Sequence, residues 1–584
     1  MIINNYLNQK LREYVSENFS ILNFDIEIIK TKKEFDGLYT IVLFPLIPKI
    51  KKSIQEISSE IVDFINKENP IIKSFNVIQG FLNLDFSSKY LIDTLQSINS
   101  LDDFESKSEL KLIEFCSPNT NKPLHLGHIR NILLGDSVSK IFDYCGYEVH
   151  KTQIINDRGI HICKSMIAWM KFGNNSNPTS EKIKGDHYVG RYYVKFNQEY
   201  EKQVDELIKN GNDEKYAREN AQILKEAKNL LIKWEEKDDE VLKIWKKMNS
   251  WVVEGFNETL EKLDVVFDSE YYESETYLVG KEIVEKGLKS GIFYRKQDNS
   301  VWVDLTEEGL DEKILIRSDG TSVYMTQDLG TAYIRYQKNP KLNGMIYTTG
   351  NEQDYHFKVL FKVLEKLKYD WSQKLQHLSY GMVDLPSGKM KSREGTVVDA
   401  DDLISSMINK SKTISESLGK INDLDELEKN KLYKTIALGA LKYHILKVDP
   451  KKKILFNPDE SIDFNGNTGP FIQYAYVRIK SILHKNNNIS MEFNDIKLVK
   501  KEKELIIMLC EFKNILNNST KTLNPSIIAN HVYELVKLYN SYYQTYTILG
   551  NKSVNSFRVF LSEKVASQIK KFMTLLGVSV PDRM

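Results

Sequence analysis

Apolar residues near the start of the chain recur at helical spacing in two stretches, Tyr6 to Phe19 and Ile54 to Ile65, and each predicts an amphipathic helix. The apolar run from Leu38 to Pro48 predicts a strand between them. The alternating pattern from Val77 to Phe86 predicts another strand. We therefore expect a small α/β domain over residues 1–105.

A strand, a loop and a helix follow in close succession. Lys111 to Phe115 is a short apolar strand, and the loop from Cys116 to Gly127 contains two prolines. Apolar residues then recur at helical spacing, and Tyr147 to Ile155 has the pattern of the next strand. This order is typical of a parallel sheet, in which ligands bind at the carboxyl ends of the strands. The pattern predicts an α/β domain over residues 106–400.

The remaining segments are predicted to be helical. A charged stretch near residues 173–250 has helical spacing and is expected to be an insertion in the α/β domain. Residues 401–584 have few glycines and an almost entirely helical pattern, which indicates a separate all-α domain.

The charge is unevenly distributed. The 584 residues include 81 basic and 80 acidic ones, a net charge of +1. The segment from Lys431 to Met584 alone has 23 basic and 12 acidic residues, a net +11, which leaves −10 for the rest. Such asymmetry indicates a nucleic-acid partner. A lysine-rich solvated helical surface is the alternative explanation.

The cysteines and the apolar runs indicate the compartment. The four cysteines form no C-x-x-C pair, so their spacing predicts neither a zinc site nor a disulfide framework. No apolar run reaches the roughly 18 residues that a membrane span needs, and the N-terminus lacks a basic segment followed by a long apolar one. We expect a reduced, cytoplasmic protein with no membrane partner.

The first candidate for chemistry is Ser117-Pro-Asn-Thr-Asn-Lys-Pro-Leu-His-Leu-Gly-His128, at the predicted turn from strand to helix. Two histidines at a helix N-terminus can both face a bound anion and donate hydrogen bonds to phosphoryl oxygens. Gly127 lets a ring or a phosphate approach the main chain closely. A bare H-x-G-H also arises easily by chance.

The second candidate is the cationic segment Gly388-Lys-Met-Lys-Ser-Arg-Glu-Gly-Thr396. Lys389 could neutralise a polyphosphate, although a solvated basic turn has the same composition.

Together, the two segments resemble the paired motifs of class I aminoacyl-tRNA synthetases, whose consensus letters are HIGH and KMSKS. The first is His125-Leu-Gly-His128 and the second Lys389-Met-Lys-Ser-Arg393. The flanking residues 114–131, together with Ser318 to Gly330 and Gly466 to Arg478, are similar to those of the arginyl-tRNA synthetases. The resemblance covers about residue 105 to the C-terminus.

The resemblance implies a Rossmann-like α/β catalytic domain with an N-terminal small α/β domain that contacts tRNA and an all-α C-terminal anticodon-binding domain. It implies L-arginine, ATP, Mg²⁺ and tRNA(Arg) as reactants, cofactor and partner, and a monomeric enzyme. The reaction is formation of arginyl-adenylate and transfer of arginine to the 3′ adenosine, with release of pyrophosphate and AMP.

The resemblance also implies the site residues. Catalytic positions are His125, His128, Lys389 and Lys122. ATP-binding positions are Leu126, Gly127, Met390, Lys391 and Ser392. Arginine-binding positions are Glu114, Asn119, Tyr324, Asp328 and Gln353, and no protein metal ligands are implied. Each arginine-binding position taken alone also has an ordinary explanation as a surface acid, an ion-pair partner or core.

The second lysine of the KMSKS consensus falls on Ser392 in this chain. Arginyl enzymes commonly lack it, and the lysine before the first histidine, here Lys122, is thought to take over part of its function. Lys391 is an alternative, one position away. We expect Lys122 and Lys389 to neutralise the triphosphate together.

Two further expectations follow from the resemblance and the residues. The family forms the adenylate only with tRNA bound. Since the insertion is predicted to be charged helix and not a compact β-rich domain, and since fixed acceptors can reject competitors lacking the matching donors, we expect no hydrolytic editing.

Three alternatives differ from this interpretation. A cysteinyl or methionyl synthetase would in most members show a cysteine/histidine zinc cluster, which this sequence lacks. A small adenylyltransferase shares the H-x-G-H turn but has a far shorter chain. A non-catalytic tRNA-binding paralogue would be expected to lose the histidines or Lys389, and all three are present.

Overall fold

A computed structural model describes residues 3–20, 26–32, 34–101, 104–384, 386, 398–418, 421–485, 493, 495–550 and 553–584. The N-terminal part is an antiparallel four-stranded sheet, in the order β1-β2-β4-β3, with helices packed on it. Its elements are α1 (Ile3–Phe19), β1 (Ile28–Lys30), β2 (Tyr39–Val42), α2 (Ile47–Ile50), α3 (Ile54–Asn66), β3 (Ile72–Ile78), β4 (Phe81–Phe86) and α4 (Ser88–Leu101).

Two strand predictions in this part were wrong. The run from Val77 to Phe86 is not one strand but the end of β3, a turn and β4. The turn residues Gln79 and Gly80 have φ of 47° and 84°, a pair of left-handed conformations that fits a two-residue hairpin. The run from Leu38 continues as β2 only to Val42, because the chain then turns into α2.

The central part contains a parallel sheet whose strands alternate with helices. Its elements up to the insertion are β5 (Leu110–Glu114), α5 (Leu126–Tyr144), β6 (Glu148–Ile155) and α6 (Ile160–Phe172). The insertion is helical, as predicted, with α7 (Pro178–Glu181), α8 (Gly185–Lys209), α9 (Glu214–Asn220), α10 (Gln222–Glu235) and α11 (Asp239–Lys262).

The sheet is completed after the insertion. The elements are β7 (Ser269–Tyr272), α12 (Glu273–Lys289), β8 (Phe293–Arg295), β9 (Val301–Val303), β10 (Lys313–Ile316), α13 (Tyr324–Lys338), β11 (Leu342–Gly350), α14 (Asp354–Lys366), β12 (Leu375–Tyr380) and β13 (Val383–Asp384). The five parallel strands lie in the order β12-β11-β5-β6-β7. Their carboxyl ends share one edge, at which the strand order reverses beside β5.

The described residues of the C-terminal part form helices and one two-residue strand. Its elements are α15 (Ala400–Leu418), α16 (Glu426–Leu446), β14 (Ile454–Leu455), α17 (Pro458–Ser461), α18 (Gly469–His484), α19 (Lys500–Cys510), α20 (Phe512–Thr522), α21 (Ser526–Thr545) and α22 (Ser553–Leu575). Strand β14 pairs in parallel with β13 and so connects this part to the sheet domain. None of the helices among the described residues is long and apolar enough to cross a membrane.

Many aromatic side chains of the helical part are core. Tyr476, Tyr539 and Tyr542 are buried, so their packing explains their presence. The guanidinium of Arg478, in contrast, lies 5.1 Å from the ring centroid of Tyr474 and 5.4 Å from that of Tyr543. Tyr543 is exposed, which leaves a cation and an aromatic ring at the surface of α18 and α21.

Candidate active site

The two histidines lie where α5 begins, after the central strand β5. His125 is the N-cap of the helix, and its Nδ1 accepts a hydrogen bond of 3.1 Å from the main-chain N–H of Gly127. The N–H of His125 in turn donates to Nδ1 of His128 over 3.1 Å. A Cβ at position 127 would approach the His125 ring to 3.0 Å, so Gly127 leaves this ring in place, while Leu126 is buried beneath the turn.

These hydrogen bonds fix the protonation of the two imidazoles. Since each Nδ1 accepts from a main-chain N–H, each ring in its neutral form carries its proton on Nε2. Burial, and then the charge of Lys122, lowers the pKa of His125 to about 4. Burial first, then the charges of His125 and Lys122, holds the pKa of His128 well below its usual range. At neutral pH the turn therefore has two uncharged Nε2–H donors.

A cavity of about 210 Å³ lies beside His125. Lys122 lines it, and burial lowers the pKa of this lysine. Helix α8 of the insertion forms another wall, which sequence reasoning did not identify because nothing in the sequence links α8 to the histidine turn. The α8 residues lining the cavity are His187, Gly190, Arg191, Tyr193 and Val194.

The second cationic segment lies outside the described residues, and with it Lys389, Met390, Lys391 and Ser392. The residues that follow it are held against the histidine turn. The N–H of Leu126 donates to the carbonyl of Val398 over 3.1 Å, and the N–H of Ala400 donates to the carbonyl of Leu124 over 3.0 Å. The chain therefore returns from this segment directly beside His125.

Glu114, the last residue of β5, is buried and forms an ion pair with the guanidinium of Arg335 on α13. Burial raises the pKa of the Glu114 carboxyl, against the attraction of Arg335. The guanidinium of Arg335 also lies 4.9 Å from the ring centroid of Tyr271. An internal guanidinium thus already occupies one of the carboxylates that the resemblance assigns to arginine.

A group of carboxylates lies at the same edge of the sheet. Asp328 of α13 accepts a hydrogen bond from Nε2 of His356 over 2.6 Å. Glu273, the first residue of α12, is buried, and burial raises the pKa of its carboxyl to about 7, with repulsion from Asp328 and Asp157 adding to the increase against the attraction of Arg158. Sequence reasoning missed Glu273, because it predicted no strand over Ser269–Tyr272, where β7 ends directly before this acid.

The other predicted arginine-binding residues are Asn119, Tyr324 and Gln353. Asn119 is half-buried and forms an isolated parallel bridge with Asn156, after the carboxyl end of β6. Tyr324 is 73% exposed at the start of α13, one turn before Asp328. Gln353 is exposed in the 3₁₀ turn after β11. Their binding to arginine stays a prediction.

Asp186, His187 and Asp401 form an acid and imidazole group whose potential ligand atoms lie within 4.8 Å of one another. Both oxygens of Asp401 already accept from ammonium groups, Oδ2 from Lys184 over 2.6 Å and Oδ1 from Lys262 over 2.7 Å. Against the effect of burial, hydrogen bonds from His187, Lys184 and Lys262 hold the pKa of the Asp401 carboxyl below its usual range. The group is an ion-pair network that joins α8, α11 and α15.

Neutral histidines at a helix N-terminus, at the reversal point of a five-stranded parallel sheet, are an arrangement for nucleotide chemistry. Residues 93–457 match the family model described as tRNA synthetases class I (R), catalytic domain, so the fold and the turn define a class I tRNA synthetase. Residues 1–86 match the arginyl tRNA synthetase N terminal domain, and residues 472–584 match the DALR anticodon binding domain. The chain belongs to the arginyl-tRNA synthetase family.

Curated relatives agree with this family over the whole length. The arginine–tRNA ligase of Flavobacterium psychrophilum is 50% identical over 601 aligned positions, covering 100% of both chains. That of Phocaeicola vulgatus is 50% identical over 580 positions, covering 96% of both. The solved structure of Thermus thermophilus arginyl-tRNA synthetase, 22% identical, has a TM-score of 0.81 over 100% of both chains, which shows a shared fold.

Proposed function

We propose that this chain activates L-arginine with ATP to arginyl-adenylate and transfers the arginyl group to the 3′ adenosine of tRNA(Arg). The arginine carboxylate attacks the α-phosphorus and pyrophosphate leaves. A ribose hydroxyl of the tRNA then attacks the carbonyl of the adenylate and AMP leaves. The observation that carries the proposal is the pair of neutral imidazole donors at the turn after β5, with a group of carboxylates at the same edge of the parallel sheet.

His125 and His128 would donate their Nε2–H groups to phosphoryl oxygens as charge develops in the displacement. Such fixed donors need no reorganisation during the reaction, so positioning and charge stabilisation supply most of the acceleration. Lys122, on the cavity beside His125, would neutralise the leaving pyrophosphate together with Lys389.

The guanidinium of the substrate is a planar cation with five donors, and it requires acceptors that are fixed in place. We assign Asp328 and Glu273 to it, because both carboxylates lie at the sheet edge and neither is paired with a lysine or arginine within ion-pair distance among the described residues. Glu114, Asn119, Tyr324 and Gln353 complete the pocket by the family pattern. Lysine would leave acceptors unpaired, which supports selectivity without editing.

The tRNA would lie along the basic C-terminal part. Residues 401–584 are assigned to anticodon binding, residues 1–105 to a further tRNA contact, and residues 106–400 to catalysis. The exposed Tyr543 beside Arg478 offers a ring and a cation to an unstacked base.

The reaction is proposed to use Mg²⁺, which would bind mainly to the phosphates of ATP, because this ion retains several waters and seldom occupies an all-protein cage. The group of Asp186, His187 and Asp401 does not fit it, since lysine ammonium groups already bond both oxygens of Asp401. The enzyme is further proposed to be cytoplasmic and monomeric. Light scattering of the purified protein measures its molar mass and so tests the monomeric state.

The test is aminoacylation with each of the twenty amino acids, with and without tRNA(Arg). Of the twenty amino acids, we expect only arginine to be charged to tRNA(Arg), in a reaction that depends on ATP. We expect pyrophosphate exchange to require tRNA. Charging with another amino acid, or exchange without tRNA at the stimulated rate, would contradict the proposal.

A further inference from the structure

Arg130 on α5 is fully buried, one turn of helix after His125 and two residues after His128. No carboxylate of the described residues forms an ion pair with it. Its guanidinium donates instead to main-chain carbonyls of two segments that are distant in sequence. Nη1 donates to Gly381 over 2.5 Å and to Met382 over 3.2 Å. Nη2 donates to Asp449, Pro450 and Lys452 over 3.5, 3.0 and 2.8 Å.

The two segments are also bonded to each other. The N–H of Gly381 donates to the carbonyl of Pro450 over 2.9 Å, and the N–H of Ile454 donates to that of Met382 over 3.0 Å. A Cβ at position 381 would come within 2.8 Å of the Lys452 main chain, so only glycine allows this approach. The pair continues as β13 and β14. Arg130 therefore donates hydrogen bonds to the two segments at which the connection between the sheet domain and the helical part begins.

The second segment is tied to the helices of the C-terminal part. The side-chain amide of Asn524, between α20 and α21, donates to Oδ2 of Asp449 over 2.9 Å. An unbroken series of hydrogen bonds thus runs from α21 through residues 449–452 to Arg130 and into α5, which carries the histidines.

The first segment leads toward the catalytic cations. Residues 381–384 precede Lys389 in the sequence by a few positions, and Val398, after it, is bonded to Leu126. The chain on both sides of the KMSKS-like motif is therefore bonded to α5, by Arg130 before it and by the N–H of Leu126 after it.

We propose that Arg130 is a positioning residue for adenylate formation: its guanidinium fixes residues 381–382 against α5 and transmits the position of the helical part, through residues 449–452, to the histidine turn. This inference rests on the proposed function. A guanidinium is suited to the task because its planar fork reaches two segments at once, whereas an ammonium is a point donor. Because carbonyls and not a carboxylate hold the cation, its bonds depend on where both segments lie.

The test compares Arg130→Lys with the unmodified full-length enzyme in tRNA-dependent pyrophosphate exchange. Lysine keeps the charge but cannot bond both segments, so kcat is expected to fall about 10- to 100-fold, as for small misplacements remote from the reacting atoms. The KM for arginine should stay within about twofold, since the carboxylates on α12 and α13 are untouched. An unchanged kcat, or a loss confined to the KM for arginine, overturns the inference.

The matched control is Arg558→Lys, at an arginine of α22 that pairs with buried Glu502 over 2.9 Å. It should lower the melting temperature and leave kcat within about twofold. If Arg130 contributed only to stability, Arg130→Lys would likewise lower the melting temperature and leave kcat within about twofold.

A double-mutant cycle tests the transmission. Asn524→Asp keeps the side-chain oxygen that accepts from the N–H of Ser526 and replaces the donor to Asp449 by a repelling oxygen. Alone it should lower kcat by about threefold or more, and in the Arg130→Lys background it should have almost no further effect, because coupled residues are non-additive. Additive losses overturn the coupling.

Gly381→Ala keeps the test decisive if Arg130→Lys does not fold. It leaves Arg130 intact and separates the two segments, so it should reproduce the loss of kcat with unchanged arginine affinity. A wild-type kcat in this variant contradicts the inference. Failure of the unmodified enzyme to charge tRNA(Arg) with arginine contradicts the proposed function instead, so the two failures are distinguishable.

Discussion

The main-chain N–H of His125 donates to Nδ1 of His128 over 3.1 Å, and the centroids of the two imidazole rings lie 3.9 Å apart. The helix terminus therefore uses the Nδ1 atoms as acceptors, and neither Nε2–H group has a hydrogen-bond partner among the described residues. Two charged imidazoles at this separation would repel each other, and burial keeps both pKa values low. The HIGH-like turn thus places two neutral hydrogen-bond donors side by side.

The first prediction separates the two nitrogen atoms of His128. His128→Asn keeps an acceptor near Nδ1 for the N–H of His125 but removes the Nε2–H donor, so adenylate formation should slow by about 10²–10³-fold. His128→Gln keeps a donor near Nε2 and should retain far more activity. Pyrophosphate exchange with tRNA measures both. The reverse order of the two variants would assign the essential function to Nδ1.

The second prediction concerns Lys122. Lys122→Ala should lower the rate of adenylate formation by about 100-fold, because a cation beside the leaving pyrophosphate is lost, while arginine affinity stays nearly unchanged. Single-turnover kinetics and equilibrium arginine binding measure the two quantities. Lys228→Ala, on the exposed surface of α10, is the control. An unaltered rate would remove Lys122 from the mechanism.

How much of the site the sequence predicts depends on distance along the chain. The histidine turn is local: strand, loop, helix and both histidines lie within about thirty residues, so the pattern predicts their juxtaposition. Glu273 lies far from this turn in sequence and comes to the same edge of the sheet only because β7 is parallel to β5, two strands away. The hydrogen bonds of Arg130 to carbonyls near residues 381 and 450 could not be predicted from the sequence, because every residue type has a main-chain carbonyl.

The elements of the fold also differ in how well the sequence predicts them. The helices, including those of the insertion, follow the apolar periodicity closely. The hairpin at Gln79 and Gly80 was missed because glutamine is an uncommon residue in a left-handed turn, whereas Asn-Gly would have marked it. Residues 1–86 nevertheless match the N-terminal domain of the family.

The third prediction concerns acid stability. Burial, and then the charge of Lys30, lowers the pKa of His531 to about 3, whereas an unfolded chain would have a value of about 6.5. The unfolded state therefore binds the proton first, and the stability that the neutral ring contributes is lost as the pH falls from about 6.5 toward 3. At pH 5 the loss should be roughly 2 kcal/mol for this residue.

Urea unfolding at pH 7 and pH 5 checks this. His531→Gln should reduce the pH-dependent difference by about that amount, whatever its effect at pH 7. His484→Gln, at an exposed position of α18, is the matched control and should leave the difference unchanged. An equal pH dependence in His531→Gln and the unmodified protein would show that this ring is not the group responsible.

The last prediction concerns arginine binding and Glu273. Burial raises the pKa of this carboxyl to about 7, so it is largely protonated at pH 6 and largely ionised at pH 8. A bound guanidinium favours the ionised form. Arginine affinity should therefore fall by up to about tenfold per pH unit below pH 7, with a proton released on binding.

Calorimetric titration with arginine from pH 5.5 to 8, in two buffers of different ionisation enthalpy, measures affinity and proton release together. Glu273→Gln should bind arginine more weakly and without pH dependence, because the amide cannot ionise. Asp328→Asn should also bind more weakly and keep a pH dependence, since Glu273 is still present, but its midpoint should move to lower pH because repulsion from Asp328 contributes to the raised pKa of Glu273. If Glu273→Gln follows the pH profile of the unmodified enzyme, Glu273 does not face the substrate, and the guanidinium must be held by other acceptors at this edge of the sheet.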